Sequence, residues 1–430
     1  MTDGEGRIRV THTDDGDRSR AAVFFRIVLL IPHFIWLGLW SAGAFLISPI
    51  HWVIALILGR PAEWAYGFYS AYVRYALHVF AYFYLATGRY PGFIGERGYA
   101  VDAEFPPREN QRRWTIALRF FIALPALVLA SALSGGPGGN YGSSNQSNDA
   151  ESVAFTLGGL GTAVAFLAWF ASLALARTPG GLRDAQVYCQ AYAAQAFGYL
   201  FLLSDRYPTS DPDAIALDPM PPHPVRLRVG EERARNRLTV FFRLLLAIPH
   251  IIWLWLWAIA ALFAAIAGWI AALATGRLPG ALHGFLSAFV RYGTHVGSYV
   301  YILADPFPGF LGRAGSYPVD PEIDDPQPQH RAKTGFRLVL ALPAWLLAGG
   351  FGTVALVCAV GVWFCALFTG RIPEGLHGLL AWAVRYEAQF YSYLLLLTER
   401  YPYTGPDGRG RVQPEPPAEP SDWQLAPERP

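Results

Sequence analysis

The chain has 430 residues, 53% of them hydrophobic and only 15% charged, with a mean hydropathy of +0.26. A soluble domain carries about a quarter charged residues, so an ordinary globular protein is excluded. Net charge is +2, and nearly all cations are arginines at the edges of apolar blocks, Lys333 being the only lysine; that is membrane-flanking charge rather than a nucleic-acid-binding face.

Residues 1–20 are polar and Asp-rich, without a signal peptide, so the first apolar segment is expected to direct insertion and leave the N-terminus in the cytoplasm. Within them Arg7-Ile8-Arg9-Val10 alternates, and the alternation returns as Val225–Val229. Each run reads as a strand at the membrane surface, paired with a later segment such as Tyr99–Phe105 or Tyr317–Ile323. From Ala21 to Leu58 the chain is apolar apart from Arg26, His33 and His51. One helix of that length would reach about 57 Å, against a hydrocarbon core of about 30 Å.

The same unit then recurs. Arg60, Arg177, Arg277 and Arg371 are each followed 14 residues later by Arg74-Tyr75, Ala191-Tyr192, Arg291-Tyr292 or Arg385-Tyr386, and 16 residues beyond that by Tyr-Pro or Phe-Pro. Arg26, Arg243 and Arg337 precede the corner arginine by 34 residues, whereas Arg119 precedes Arg177 by 58. The excess of 24 is a Gly/Ser/Asn-rich insertion at about 134–152. Register held over four copies is a tandem repeat. The units are residues 21–110, 111–222, 223–326 and 327–404, followed by a Pro-rich tail, 405–430, expected to be disordered. Units one and three share Pro32-His33 and Pro249-His250; units two and four have Pro125-Ala126 and Pro343-Ala344, so a two-unit half is duplicated, relating 20–210 to 237–403.

Because the insertion interrupts an apolar block, each block is expected to be a hairpin of two spanning helices, with tips near Ser41–Pro49, Ala258–Ala264 and Gly349–Gly352. Tips lack Lys and Arg while the feet carry them, so the feet are expected on the cytoplasmic side. The third segment, such as 280–304, carries His283, Ser287, Arg291, His295 and Tyr299 at four-residue intervals opposite an apolar face. It is expected to be an amphipathic helix at the interface. The fold class is therefore all-α integral membrane: four hairpins giving eight crossings, or twelve if the third helices also cross.

The hairpins contain no Asp or Glu, which removes the usual equipment of proton-coupled transport. No nucleotide loop, zincin motif, nucleophile elbow or zinc-spaced cysteine pair is present, and Cys189, Cys358 and Cys365 form no disulfide framework. No catalytic residue, metal ligand or cofactor is expected. His33 and His250 follow a mid-helix proline and are expected to satisfy a freed carbonyl rather than bind metal. The candidate contacts to lipid headgroups or a solute are Arg26, Arg60, Arg74, His78, Arg243, Arg277, Arg291, His295, Arg337, Arg371, Arg385 and Gln389. Partners are membrane lipids, with a protein partner or homo-oligomer as a further expectation and no nucleic acid. Plasma-membrane residence with both termini cytoplasmic follows, as a lipid-interacting or scaffolding assembly; the alternative is a pore or facilitator for a small or anionic solute.

The motifs Val225-Arg226-Leu227, Arg243 with Pro249, Gly276-Arg277-Leu278-Pro279, Arg291-Tyr292 and Asp205-Arg206-Tyr207-Pro208 carry a likeness. The unit resembles an uncharacterised bacterial membrane family, domain of unknown function 4389, with unit two departing from it at Ala191, at the insertion and at the residue before Arg177. The resemblance implies small multi-pass membrane units and no established activity.

Overall fold

The computed structural model describes residues 6–135, 159–215 and 217–408. The insertion's centre and most of the tail lie outside the described residues. Twelve α-helices account for most of the described chain, with four short strands.

Taking each unit from the strand that leads into its long helix, which moves the unit starts to 9, 101, 225 and 319, unit one comprises β1 (Arg9–His12), α1 (Arg20–Phe24), α2 (Arg26–Leu58) and α3 (Glu63–Phe83). Unit two has β2 (Val101–Glu104), α4 (Arg113–Ala117), α5 (Arg119–Ser134), α6 (Leu160–Leu175) and α7 (Gly180–Leu200). Unit three has β3 (Val225–Val229), α8 (Arg237–Thr275) and α9 (Gly280–Val300). Unit four has β4 (Val319–Ile323), α10 (Arg331–Gly335), α11 (Arg337–Thr369) and α12 (Glu374–Leu394).

The expected hairpins are corrected. Residues 41–49 of α2, 258–264 of α8 and 349–352 of α11 run through unbroken helix. Ser48-Pro49 and Gly349-Gly350 are absorbed without a break, and one buried stripe runs the length of α2: Arg26, Leu30, His33, Leu37, Ala44, His51 and Ala55. Pro32 is accommodated near the helix start and Pro49 within it. In unit two the insertion breaks the same rod. A Cβ on Gly159 would lie 2.7 Å from the Ala132 carbonyl oxygen and 2.9 Å from the Gly135 nitrogen, so the chain re-enters where it left. α5 and α6, of 16 residues each, thus take the place of one 33-residue helix.

Each long helix stops at a left-handed residue: Gly59 (φ 72°), Gly276 (φ 74°) and Gly370 (φ 72°). In unit two Ala176 takes the same conformation at φ 56°, at a steric cost of about 1–2 kcal/mol. The next helix returns antiparallel: Arg26 meets Tyr82, His33 meets Tyr75, and the Tyr69 hydroxyl donates to the Ala44 carbonyl at 2.8 Å.

The strands pair antiparallel, β1 with β2 and β3 with β4, which are the partners the alternation suggested. Val10 pairs with Ala103 and Leu227 with Pro321. Each of these four residues stands 16 positions before the arginine of its own unit (Arg26, Arg119, Arg243, Arg337). Equivalent residues therefore face each other across a local twofold axis perpendicular to each sheet.

The layers follow. On one face lie the sheets and linkers. Beneath them lie the third helices α3, α7, α12 and α9, with α7 packed on α3 and α12 on α9. The long helices form the other face, α11 packing against α5, α6 and α8. Within each pair of units the long helices are antiparallel: α2 ends where α4 begins, through the Gln111 N–H to Gly59 carbonyl bond at 2.8 Å, and α6 ends where α1 begins, through Arg18 N–H to the Ala176 carbonyl at 2.9 Å.

Candidate functional site

The recurrent arginines divide by burial. Those opening the long helices are 1–3% exposed, and each clasps the end of its unit's third helix. Arg243 donates to the Tyr299 and Ala304 carbonyls at 2.8 and 2.7 Å and to Asp305 at 2.7 Å, lying 4.5 Å above the Tyr299 ring. Arg26 binds the Tyr82 and Thr87 carbonyls and stacks on Tyr82. Arg119 reaches Asp205 at 3.0 Å and Gln111 at 2.5 Å over Tyr199, and Arg337 reaches Thr398 and Gln329, both at 3.0 Å, over Tyr393. Cations at helix C-termini answer both the orphan carbonyls and the helix dipole.

Eight positions earlier stands a second clasp. Arg18 and Arg235 bind the carbonyls of Leu85–Ala86 and Ile302–Leu303, while Gln111 and Gln329 bind those of Leu202 and Leu396. Leu85, Leu202, Ile302 and Leu396 occupy one repeat position and all have φ of 63–65°. Such backbone persists only when its surroundings enforce it, and the two clasps enforce it. The reading of Arg26, Arg243 and Arg337 as headgroup contacts is thereby corrected: their guanidinium groups are spent inside the fold.

The polar stripes of the third helices are also covered, by the linker layer. His78 Nε2 meets Asp102 Oδ1 at 3.2 Å, with Arg74 Nε at 3.2 Å and the Gly98 N–H on Oδ2 at 2.7 Å. In unit three His295 meets Asp320 at 2.8 Å, Arg291 lies at 3.6 Å and the Gly315 N–H at 2.5 Å. Burial pushes both carboxyls up, but the histidine and backbone hydrogen bonds prevail and hold them below the usual value. Arg74, His78 and His295 are buried and Arg291 half-buried, so the expected headgroup-facing stripe is instead an interface between helix and strand.

In unit four Gln389 accepts from the Tyr403 N–H at 3.0 Å and donates to the Val225 carbonyl at 3.0 Å, while Arg385 binds Gly405 and Asp407. Gln195 takes the Thr209 N–H in the same way in unit two. His33 and His250 meet tyrosine hydroxyls, Tyr75 and Tyr292, at 2.8 Å, and stack on Phe93 and Phe310. The tyrosines, not the imidazoles, reach back to a helix carbonyl.

Arg60, Arg177, Arg277 and Arg371 remain exposed at the corners, and among the described residues their guanidinium groups have no hydrogen bond or ion pair. Each corner holds a second exposed arginine from the helix start of the partner unit: Arg113, Arg20, Arg331 and Arg237 cap the carbonyls of Ile57, Ala174, Ala274 and Phe368. A polar cavity of about 490 Å³ lies in the linker layer where units two, three and four meet, lined by Asp213, Arg233, Glu374, His377, Arg385 and Asp407. Burial, then Arg235 and Arg233, hold His377 down to about 4. No group of three metal-ligating side chains occurs among the described residues.

Sequence reasoning missed Asp102 and Asp320, because their distances from His78 and His295 (24 and 25) differ and neither lies in a helix. It also missed that a tryptophan recurs 26 residues after each opening arginine: Trp52, a helix-packing aromatic by sequence, with Trp269 and Trp363, and with Trp169 displaced by the insertion. The indole N–H groups of Trp52, Trp169 and Trp269 donate to Ile116, Val23 and Thr334 carbonyls at 2.7, 3.1 and 2.8 Å, pinning α2, α6 and α8 to the start of their partner units. Their constant spacing was a usable signal.

No curated protein and no solved structure matches the chain. The family model described as domain of unknown function (DUF4389) matches three times, over residues 20–95, 237–311 and 331–404, which are units one, three and four. Unit two, with its broken helix and Ala191, falls outside the match but repeats the clasps. With more than half its length matched in three tandem copies, the chain belongs to the DUF4389 family.

Proposed function

We propose that the protein is a non-catalytic membrane protein, a lipid-interacting scaffold of the plasma membrane whose long-helix layer is immersed in lipid and whose corner arginines hold anionic headgroups. One observation carries this reading: three helices are long and apolar enough to span a membrane, and their exposed faces are large hydrophobics such as Ile27, Phe45, Leu244, Trp255, Leu338 and Phe368, while the exposed charged residues lie at the helix ends and on the opposite layer. Guanidinium pairs at the four corners suit phosphate oxygens. A continuous long helix crosses at most once, so the long helices supply at most one crossing per unit, which weighs against two-helix hairpins and against twelve crossings. A solute path draws support only from the charged cavity; flux into vesicles that vanishes in Arg291→Ala and Arg385→Ala would favour it.

The test is lipid retention. Protein purified from membranes in mild detergent should carry anionic phospholipid above its bulk share. The combined Arg60→Gln, Arg177→Gln, Arg277→Gln, Arg371→Gln variant should lose that enrichment several-fold while remaining in the membrane fraction. Absence of enrichment in the parent chain would sink the headgroup reading.

A further inference from the structure

We infer that the four long helices lie in the plane of a single lipid leaflet, so that the protein is embedded from one side and does not cross the bilayer. This rests on the lipid-immersed reading of the long-helix layer and specifies the surface it meets: one leaflet of a phospholipid bilayer.

Three observations converge. First, the twofold axes run perpendicular to the sheets. The helices of each pair, related by such an axis, run antiparallel, α3 with α7 and α2 with α5–α6. Two helices related by a twofold axis are antiparallel only when they lie across it. If the axis is the membrane normal, the helices lie in the membrane plane. If the axis lay in the plane, the helices would cross, but the sheets would then stand at bilayer depth.

Second, that alternative is excluded by the linkers. Residues 87–111 leave the end of α3 and run back along its whole length: Asp102 beside His78, Ala103 beside Arg74, Pro106 beside Tyr66, Arg108 beside Pro61 and Gln111 beside Gly59. Residues 305–329 follow α9 in the same way, from Asp305 at Arg243 through Asp320 at His295 to Gln329 at Gly276. A crossing α3 would drag the seven charged residues of 87–111 through hydrocarbon, each lipid-facing charge losing its hydration, with irregular backbone besides. The outer faces of the strands point to water: Arg9, Thr11 and Glu104 on one sheet, Arg226 and Arg228 on the other, are exposed.

Third, the lengths fit. Helices of 33 and 39 residues reach about 50 and 58 Å. Crossing a core of about 30 Å would need tilts of roughly 53–59°, beyond the usual range of 0–40°. Lying flat, each helix places both arginine-bearing ends at headgroup level and its apolar face among the acyl chains.

The test uses the full chain with Cys189, Cys358 and Cys365 replaced by alanine, in vesicles of phosphatidylethanolamine and phosphatidylglycerol. Single cysteines replace Glu232, before α8, and Asp325, in the linker beside the far end of α8. A third replaces Leu256, exposed at mid-helix. A membrane-impermeant maleimide should label the first two from the same side and Leu256→Cys from neither. A fluorophore on Leu256→Cys should be quenched at a shallow depth, about 5–10 Å into the leaflet. Labelling of Glu232→Cys and Asp325→Cys from opposite sides, labelling of Leu256→Cys from the far side, or quenching of its fluorophore at the bilayer centre would overturn the in-plane placement and leave lipid immersion standing. A chain that fails to float with vesicles overturns the lipid reading itself, and this inference with it.

Discussion

Units one and three share a backbone with units two and four but fill it differently. At the position eight before the opening arginine the first pair has Arg18 and Arg235, the second Gln111 and Gln329, all gripping the same left-handed carbonyls. At the fourth residue after the Arg/Ala-Tyr landmark's first position, His78 and His295 hold carboxylates, whereas Gln195 and Gln389 hold backbone N–H groups. The difference reflects what lies on top. α3 and α9 are covered by β2 and β4, which bring Asp102 and Asp320. α7 and α12 are covered by chain arriving from elsewhere, residues 6–18 on α7 and 223–235 on α12, together with their own following segments. A repeat can keep its skeleton while its polar contacts are set by the cover.

The opening arginines are common to both classes and should break both equally. Arg243→Ala and Arg337→Ala each leave buried carbonyls and a left-handed turn without their cation; a loss of about 3–5 kcal/mol is expected, read as a large fall in melting temperature in detergent. A loss under 1 kcal/mol in either would refute the clasp.

Exchanging the fillings sharpens the comparison. His295→Gln trades the rigid imidazole donor to Asp320 for a rotatable amide and should cost about 1 kcal/mol, whereas Gln389→His removes the amide that holds both Tyr403 and Val225 and should cost about 1.5–3 kcal/mol. Asp320→Asn adds a pH signature. A carboxyl held below its unfolded value contributes stability that is complete above about pH 4 and is lost as pH falls through its folded value. The Asp320→Asn penalty should therefore be full at pH 7 and shrink below about pH 4. A pH-independent penalty would assign Asp320 a merely steric role.

The smallest effect concerns the pins between units. Trp52→Phe and Trp269→Phe each lose one hydrogen bond, worth about 1 kcal/mol, and should loosen the joint symmetrically in the two halves, seen as faster amide exchange around Ile116 and Thr334. Unequal exchange at the two joints would show that the halves are not equivalent there.

Much of this was legible in the residues. The four-unit register, the A-B-A-B alternation and the pairing of Arg7–Val10 with a later segment follow from local spacing, because a repeat fixes its own periodicity before it folds. Hairpins were misread because a 24-residue insertion in unit two looked like a turn, whereas a helix broken at Gly135 and resumed at Gly159 carries the same rod. The partners of the arginines could not be read either: Tyr299, Ala304 and Asp305 lie 56–62 residues from Arg243, and neither composition nor periodicity tells a snorkelling guanidinium from a clasping one.

The amino-acid order by itself determined the apolar rods, their Gly-Arg corners and the amphipathic third helices, since these depend on neighbours within a turn or two. Only the tertiary structure decided that the polar stripe faces strands, that the recurrent arginines split into buried clasps and exposed corners, and that the described inter-unit linkers lie on one side. Those outcomes depend on which distant backbone reaches a buried charge first, and a buried charge without a partner costs more than any local preference can offset.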